Sequence, residues 1–502
     1  MLAKVYTGTL IGLQTEFIEV EVDVARGERN IQIVGLPDAA VREAKERILS
    51  AFRNAGVSLG PGRKIINLAP ADIPKSGPSY DLPMAVGLLV AKGFLKLKTP
   101  DEKFFIGELA LDGKIRPVSG VLAMVETAVS SGFSKIFVPK ANVEEASVIP
   151  GANVYGVESL NALIGHFGGL KNIEVADKYD FRSKRSTKKY DLIHVKGQLK
   201  ARRALEISAA GGHNVLFSGV PGSGKTFLAR CLPSILPRMS IEESIEVTRI
   251  YSVAGKLKSS QSLLQERPFR SPHHTASQVS LIGGGSNPKP GEVSLSHLGV
   301  LFLDEFPEFE RKTLEVLRQP IEDGLVTISR ANATVEYPAR FQLVAAMNPC
   351  QCGFLGDPHK ECTCNEFQKQ MYRKRLSGPI LDRIDLKVQM YKVNYDEITS
   401  PLLSESSGEV RARVELARDI QKGRFKDDPI RINSSMNNLE IKKSINIDRE
   451  SKRLLRTAVE NFDLSARGYF RILKVARTIA DLEGAQDVAH KHVAEALSFR
   501  MS

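Results

Sequence analysis

Apolar and polar residues alternate along Phe17-Ile18-Glu19-Val20-Glu21-Val22-Asp23-Val24, the period of a strand with one buried face, and Ile31-Gln32-Ile33-Val34 repeats it. Ala39 to Ala55 shifts to the spacing of an amphipathic helix, so this first part predicts an α+β domain. Further along, His213-Asn214-Val215-Leu216-Phe217-Ser218, Val300-Leu301-Phe302-Leu303 and Phe341 to Met347 are apolar runs that read as buried strands. Val326 to Arg330 and Thr334 to Tyr337 predict the arms of a β-hairpin. From Glu409 to Gly423 and from Arg449 to Arg500 the apolar residues recur at helical spacing, predicting an all-helical C-terminal part.

Two polar stretches interrupt these patterns. Asp177 to Asp191 carries Phe181-Arg182-Ser183-Lys184-Arg185-Ser186-Thr187-Lys188-Lys189 and reads as an exposed basic linker; Thr399 to Gly408 has breakers and no periodicity. With 502 residues, too many for one core, the chain divides into an α+β domain over 1–176, a linker over 177–190, a parallel-sheet core over 191–398, a second linker over 399–408 and a helical lid over 409–502. The expected fold class is multidomain α/β.

The chemistry sits where the apolar strands end. The first runs into Gly219-Val220-Pro221-Gly222-Ser223-Gly224-Lys225-Thr226, a GxxxxGKT loop, and Phe227 to Leu232 continues as a helix. Backbone N–H groups of such a loop curl around phosphate, Lys225 reaches the β- and γ-phosphates and Thr226 ligates Mg²⁺, which makes the chain a nucleotide triphosphatase. The second strand ends in Asp304-Glu305: Asp304 is expected to hold Mg²⁺ through water and Glu305 to polarise the attacking water. The third delivers Asn348, a polar side chain able to position water against the γ-phosphate.

Composition adds boundaries. Apolar and charged fractions of 42 % and 25 % are those of an ordinary soluble protein, and the longest apolar run, Leu82 to Ala91, is too short for a bilayer. With no secretory pattern at the start, a cytoplasmic location without a membrane partner is expected. A formal charge of +12 fits a polyanion such as DNA, or merely a soluble basic surface. Cys350-x-Cys352 and Cys362-x-Cys364 form two close pairs that could close a tetrahedral Zn²⁺ site, or stay reduced thiols; lying in sequence between Asn348 and Arg383, this knuckle is expected to stiffen the approach of Arg383 or a subunit contact. Cys231 reads as a core residue. His273 and His274, adjacent and without a helix-spaced partner, read as structural loop histidines.

Phe269-Arg270-Ser271-Pro272-His273-His274, Gly291 to Glu305 and Ala346-Met347-Asn348-Pro349-Cys350 together resemble the magnesium-chelatase branch of AAA+ ATPases. That resemblance implies a sensor role for Asn348, and an arginine finger at Arg383 in Leu381-Asp382-Arg383 that reaches a neighbouring subunit's γ-phosphate. It also implies a nucleotide-sensing role for Arg467 in Leu464-Ser465-Ala466-Arg467-Gly468, leaving Arg471 and Arg477 toward solvent or DNA. It places an insertion over Phe269 to Gly291, with a Gly283-Gly284-Gly285 tip, and makes Lys289 and Arg330 candidate DNA contacts, against the plainer reading of a surface hairpin.

Ser76 to Ala85 and Gly107 to Val121 resemble the proteolytic domain of Lon, a ribosomal S5 domain 2-like fold. Ser79 stands at the nucleophile's place, but Leu122 occupies the position of the activating lysine, so no peptidase activity is expected. A Lon-like domain ahead of a magnesium-chelatase-type ATPase and a helical domain is the arrangement of the YifB/ComM family. The resemblance implies an ATP- and Mg²⁺-dependent hexameric DNA helicase that drives branch migration, with recombination proteins as possible partners, while incoming DNA is recombined in natural transformation. A chelatase motor subunit and an AAA+ remodelling chaperone or protease-like factor are the alternatives.

Overall fold

The computed structural model describes residues 2–27, 30–178, 181, 190–257, 263–285, 288–330, 333–399, 404–426, 432–462 and 464–500. The basic linker run 182–189 and residues 400–403 of the second linker lie outside them.

The N-terminal part is a seven-stranded mixed sheet in the order Asn30–Val34, Arg63–Ala69, Gln14–Ala25, Ala3–Ile11, Lys103–Phe105, Lys135–Pro139, Asn153–Val157. The alternation expected over Phe17 to Val24 belongs to the longer strand Gln14–Ala25, in which Ile18, Val20 and Val22 are buried. Helix Ala39–Asn54 starts at Asp38, whose carboxylate accepts the Val41 N–H at 2.8 Å, and lays Val41, Ala44, Ile48 and Phe52 on the core. The apolar run from Leu82 is a helix, Asp81–Ala91, buried on nearly every side. Its Asp81 carboxylate is fully buried and is paired with Arg47 at 2.6 Å.

The second sheet has five strands in the order Phe269–Arg270, Val300–Leu303, Gln342–Met347, Val215–Gly219, Leu386–Met390, and every pairing is parallel. Helices cover it, which is why Val215, Leu216, Phe217 and Val300 to Leu303 are all buried. The hairpin appears as Leu325–Arg330 paired antiparallel with Ala333–Pro338.

The C-terminal part is helical: Ser407–Arg424, Asn438–Ser444, Arg449–Phe462, Ala466–Leu482 and His490–Ser498. These helices share one hydrophobic core with the five-stranded sheet; Val414, Ala417, Ile479 and Val493 pack in the same cluster as Ala204, Phe217 and Leu228. The first of them begins with a capping box between Ser406 and Glu409. Arg477 faces neither solvent nor a DNA path. It is buried, with Nε donating to Asp481 at 3.0 Å and Nη1 to the Gln486 carbonyl at 2.6 Å, because this helix is surrounded on the Arg477 side by the chain that follows it.

The two parts meet at helix Ile241–Val253. Gly120 N–H donates to the Ser252 carbonyl at 3.2 Å, Arg249 pairs with Glu126 at 2.9 Å, and the Ser252 hydroxyl bonds the buried Glu145 carboxylate.

Candidate nucleotide site

The phosphate-binding loop leaves the interior strand Val215–Gly219, next to the edge strand Leu386–Met390, and passes directly into helix Lys225–Ile235. Gly222 and Gly224 take φ of +80° and +86°, a backbone that L side chains rarely adopt, and this lets the loop curl. Lys225 lies inside the curl: its ammonium donates to the Gly219 and Val220 carbonyls at 2.6 and 3.0 Å and to Asn348 Oδ1 at 3.3 Å. Burial lowers its pKa by disfavouring the charged form.

Parallel pairing sets the remaining groups beside that lysine. Strand Gln342–Met347 lies between Val300–Leu303 and Val215–Gly219, so Asn348 emerges between the loop and the acidic pair. Thr226 Oγ1 donates to Asp304 Oδ2 at 2.8 Å, which sets a hydroxyl and a carboxylate side by side. Two such hard oxygen donors fit Mg²⁺. Glu305 takes φ of +51°, a left-handed turn that carries its side chain out of the strand line and leaves it 57 % exposed.

His274 reaches the acidic pair. Its Nδ1 lies 2.8 Å from Glu305 Oε2, and its ring is 4.1 Å from that of His273. The cause is the two-residue strand Phe269–Arg270, which pairs in parallel with Val300–Leu301 and so delivers the following loop beside the Glu305 turn. A strand that short leaves almost no periodicity to read. The signal available was the Ser271-Pro272 break directly after Phe269-Arg270.

Arg383 and Arg467 border adjoining recesses, and neither recess includes Lys225. Arg383 precedes strand Leu386–Met390, whose first residue pairs with Val215, so it sits where the strands begin and the loop sits where they end. Five residues of strand separate the two ends by about 16 Å. The Arg383 side chain is 4 % exposed, pairs with Glu322 and donates to the Pro379 carbonyl at 2.6 Å. It lines a cavity of about 520 Å³ with Arg340, Arg418, Arg471 and Lys474. The exposed Arg467 borders an adjoining recess that shares Glu322, Arg471 and Lys474 with that cavity. Arg471 is 3.5 Å from Asp385, where burial would raise the carboxyl pKa but His213 and Arg471 outweigh it and hold it below its usual value.

Among the candidate DNA contacts, Lys289 is exposed on the short pairing of Gly283–Gly284 with Lys289–Pro290. Arg330 closes its hairpin strand; its side chain lies outside the described residues. In the N-terminal part Ser79 is buried and its carbonyl accepts the Gly107 N–H at 3.1 Å, while Leu122 is fully buried. The sulfurs of Cys350, Cys352, Cys362 and Cys364 all lie within 4.8 Å of one another. Cys231 is buried in the core of the sheet and C-terminal helices. Among the described residues no helix is long and apolar enough to cross a membrane.

Comparison with known proteins covers nearly the whole chain. Residues 191–398 match the family model for magnesium chelatase subunit ChlI, 20–142 a second ChlI model, and 404–500 the model of the ChlI C-terminal region. Competence protein ComM of Haemophilus influenzae is 41 % identical over 506 residues, covering 99 % of this chain and 97 % of that protein. The YifB protein of Escherichia coli is 42 % identical over 501 residues, with the same coverage. A Lon protease of Syntrophomonas wolfei is 26 % identical over 142 residues, which is 27 % of this chain and 17 % of that enzyme. With a nucleotide loop, an acidic pair and a polar strand end converging on one end of a parallel sheet, and with full-length relatives of this identity, the chain belongs to the YifB/ComM family of magnesium-chelatase-like AAA+ ATPases with an N-terminal Lon-like domain.

Proposed function

We propose that this protein is the subunit of an ATP-driven, hexameric DNA motor that moves branched DNA during recombination of incoming strands in natural transformation, acting in the cytoplasm. The observation that carries the reading is the division of the site. Lys225, Thr226, Asp304, Glu305 and Asn348 gather at one end of the five-stranded sheet, whereas Arg383 and Arg467 gather near the other. One copy therefore holds two half-sites that its own fold keeps apart, and a head-to-tail ring unites them between neighbours.

In this reading the loop from Gly219 through Pro221, Gly222, Ser223 and Gly224 to Thr226 cradles the phosphates and Lys225 neutralises them. Thr226, and Asp304 through water, would hold Mg²⁺, which would supply positive charge against the phosphates. Glu305 takes the proton of the attacking water and Asn348 orients that water. Arg383 and Arg467 of one subunit meet the γ-phosphate held by the next, so oligomerisation is required for turnover. The basic charge of +12 and the exposed Lys289 support DNA as the polyanion. Competence protein ComM is the relative whose name points to natural transformation. The buried Leu122 at the place of an activating amine supports a Lon-like domain without peptidase chemistry.

The test is ATPase and branch-migration assay on a synthetic four-way junction, with Lys225→Ala and Glu305→Gln as controls. DNA-stimulated hydrolysis and junction movement are expected in the wild type only. Absence of DNA binding at low salt would overturn the motor reading.

A further inference from the structure

We propose that Cys350, Cys352, Cys362 and Cys364 hold one zinc ion through four thiolates, and that this ion braces the phosphate-binding loop from outside. The first half rests on the sulfur geometry alone. Cys350 Sγ is 3.4 Å from Cys352 Sγ and 3.6 Å from Cys362 Sγ, and Cys352 Sγ is 3.6 Å from Cys362 Sγ. Cys364 Sγ closes the group, accepting the Cys352 N–H at 3.4 Å. A tetrahedron with zinc–sulfur bonds of about 2.3 Å has edges of about 3.8 Å, close to these separations. Among the described residues no carboxylate or imidazole joins the group, so its donors are all soft; that disfavours Mg²⁺ and Ca²⁺ and suits zinc.

The second half follows from what the knuckle touches. Cys350 comes two residues after Asn348, whose side chain meets Lys225. Gly353 has φ of +86° and lies so close to the loop that an added Cβ would come within 2.9 Å of Pro221 Cγ and 3.9 Å of Asn348 Cγ. On its far side the knuckle is pinned by the Asp357–Lys392 pair at 2.6 Å, beyond strand Leu386–Met390, with the Asp357 side chain fully covered. A metal that ties residues 350–352 to 362–364 therefore holds Gly353 against Pro221 and fixes where Asn348 ends. The knuckle stands on the loop's half of the site and is not placed to stiffen Arg383.

The bracing rests on the nucleotide-site reading above; the metal assignment does not. The experiment is metal analysis by mass spectrometry of full-length protein purified without chelator, followed by titration with a fluorescent ATP analogue. Titration is done before and after zinc is released with a mercurial reagent that is then stripped from the cysteines by excess thiol under chelator, and again after zinc is restored, with circular dichroism recording the fold. About one zinc per chain is expected, with affinity on the order of tenfold weaker once zinc is gone and regained when it returns, the size of an outer-shell positioning effect. Cys362→Ser with Cys364→Ser should match the zinc-free protein, and Gly353→Ala should weaken nucleotide while retaining zinc. Iron, or no metal, in the purified protein overturns the site. Unchanged affinity on zinc removal overturns the brace, and zinc-loaded protein that binds no nucleotide overturns the nucleotide reading and the brace with it, leaving the metal site standing.

Discussion

Nδ1 of His274 lies 2.8 Å from Oε2 of Glu305, and the histidine belongs to the segment that leads into the Gly283–Gly284 and Lys289–Pro290 pairing. A carboxylate engaged by an imidazole is a poorer acceptor for the proton of a water molecule. Displacement of that segment, for example by DNA on Lys289, is a direct way to release it. The contact joins partly exposed groups and is worth at most about 1 kcal/mol, so His274→Ala is expected to raise DNA-free ATPase by up to about fivefold and to shrink stimulation by DNA. Steady-state phosphate release with and without DNA measures both. A fall in the DNA-free rate would show that His274 assists Glu305 instead of restraining it.

Arg383 is expected to matter only to a neighbour. Arg383→Ala should bind the fluorescent ATP analogue as the wild type does and lose at least about 1000-fold in hydrolysis, the size of an arginine-finger effect. Lys225→Ala should be equally inactive. Mixing the two inactive proteins should restore turnover, since about a quarter of randomly formed interfaces then unite an intact loop with an intact arginine. No recovery on mixing, in rings shown to exchange subunits, would place both halves in one chain.

Asp481 balances two arginines, Arg424 at 2.6 Å and Arg477 at 2.9 Å, with its side chain fully buried. Asp481→Asn keeps the shape and removes the charge, leaving two guanidinium groups facing each other beneath the helical lid. Unfolding in urea should show a loss of about 3–5 kcal/mol. A loss under about 1 kcal/mol would mean that solvent reaches the pair after all.

Ser79 is buried and its place in the Lon-like part carries no amine base at Leu122. Ser79→Ala is expected to leave ATPase and junction movement within about twofold of wild type, as for a substitution that removes no reacting group. Casein incubated with either protein should stay intact. Casein cleavage that disappears in Ser79→Ala would reverse the reading.

The loop, the acidic pair and Asn348 were legible because buried parallel strands appear as unbroken apolar runs, and the chemistry sits at the residue where each run stops. Strand Leu386–Met390, at the sheet's edge, alternates buried and half-buried residues as Leu-Lys-Val-Gln-Met and offered no such run. The helical stretch from Arg449 to Arg500 reads as one pattern but breaks after Phe462 and after Leu482. Arg477 looks like a surface residue in sequence; only the chain wrapping back from Ala485 and Gln486 makes it an interior one. The cysteine spacing announced a candidate metal site, yet which wall of the nucleotide site it abuts depends on Gly353 meeting Pro221, a contact between segments more than a hundred residues apart.

The five-stranded sheet has a mechanical meaning that its hydrogen-bond pattern makes concrete. Its strands are rods laid side by side, with a nucleotide end and an arginine end, and continuous pairing from Val215–Leu386 to Gly219–Met390 joins one end to the other. In the ring proposed above, a subunit would therefore offer its nucleotide end to one neighbour and its arginine end to the other, so the polarity of a single sheet would give the whole assembly a handed order.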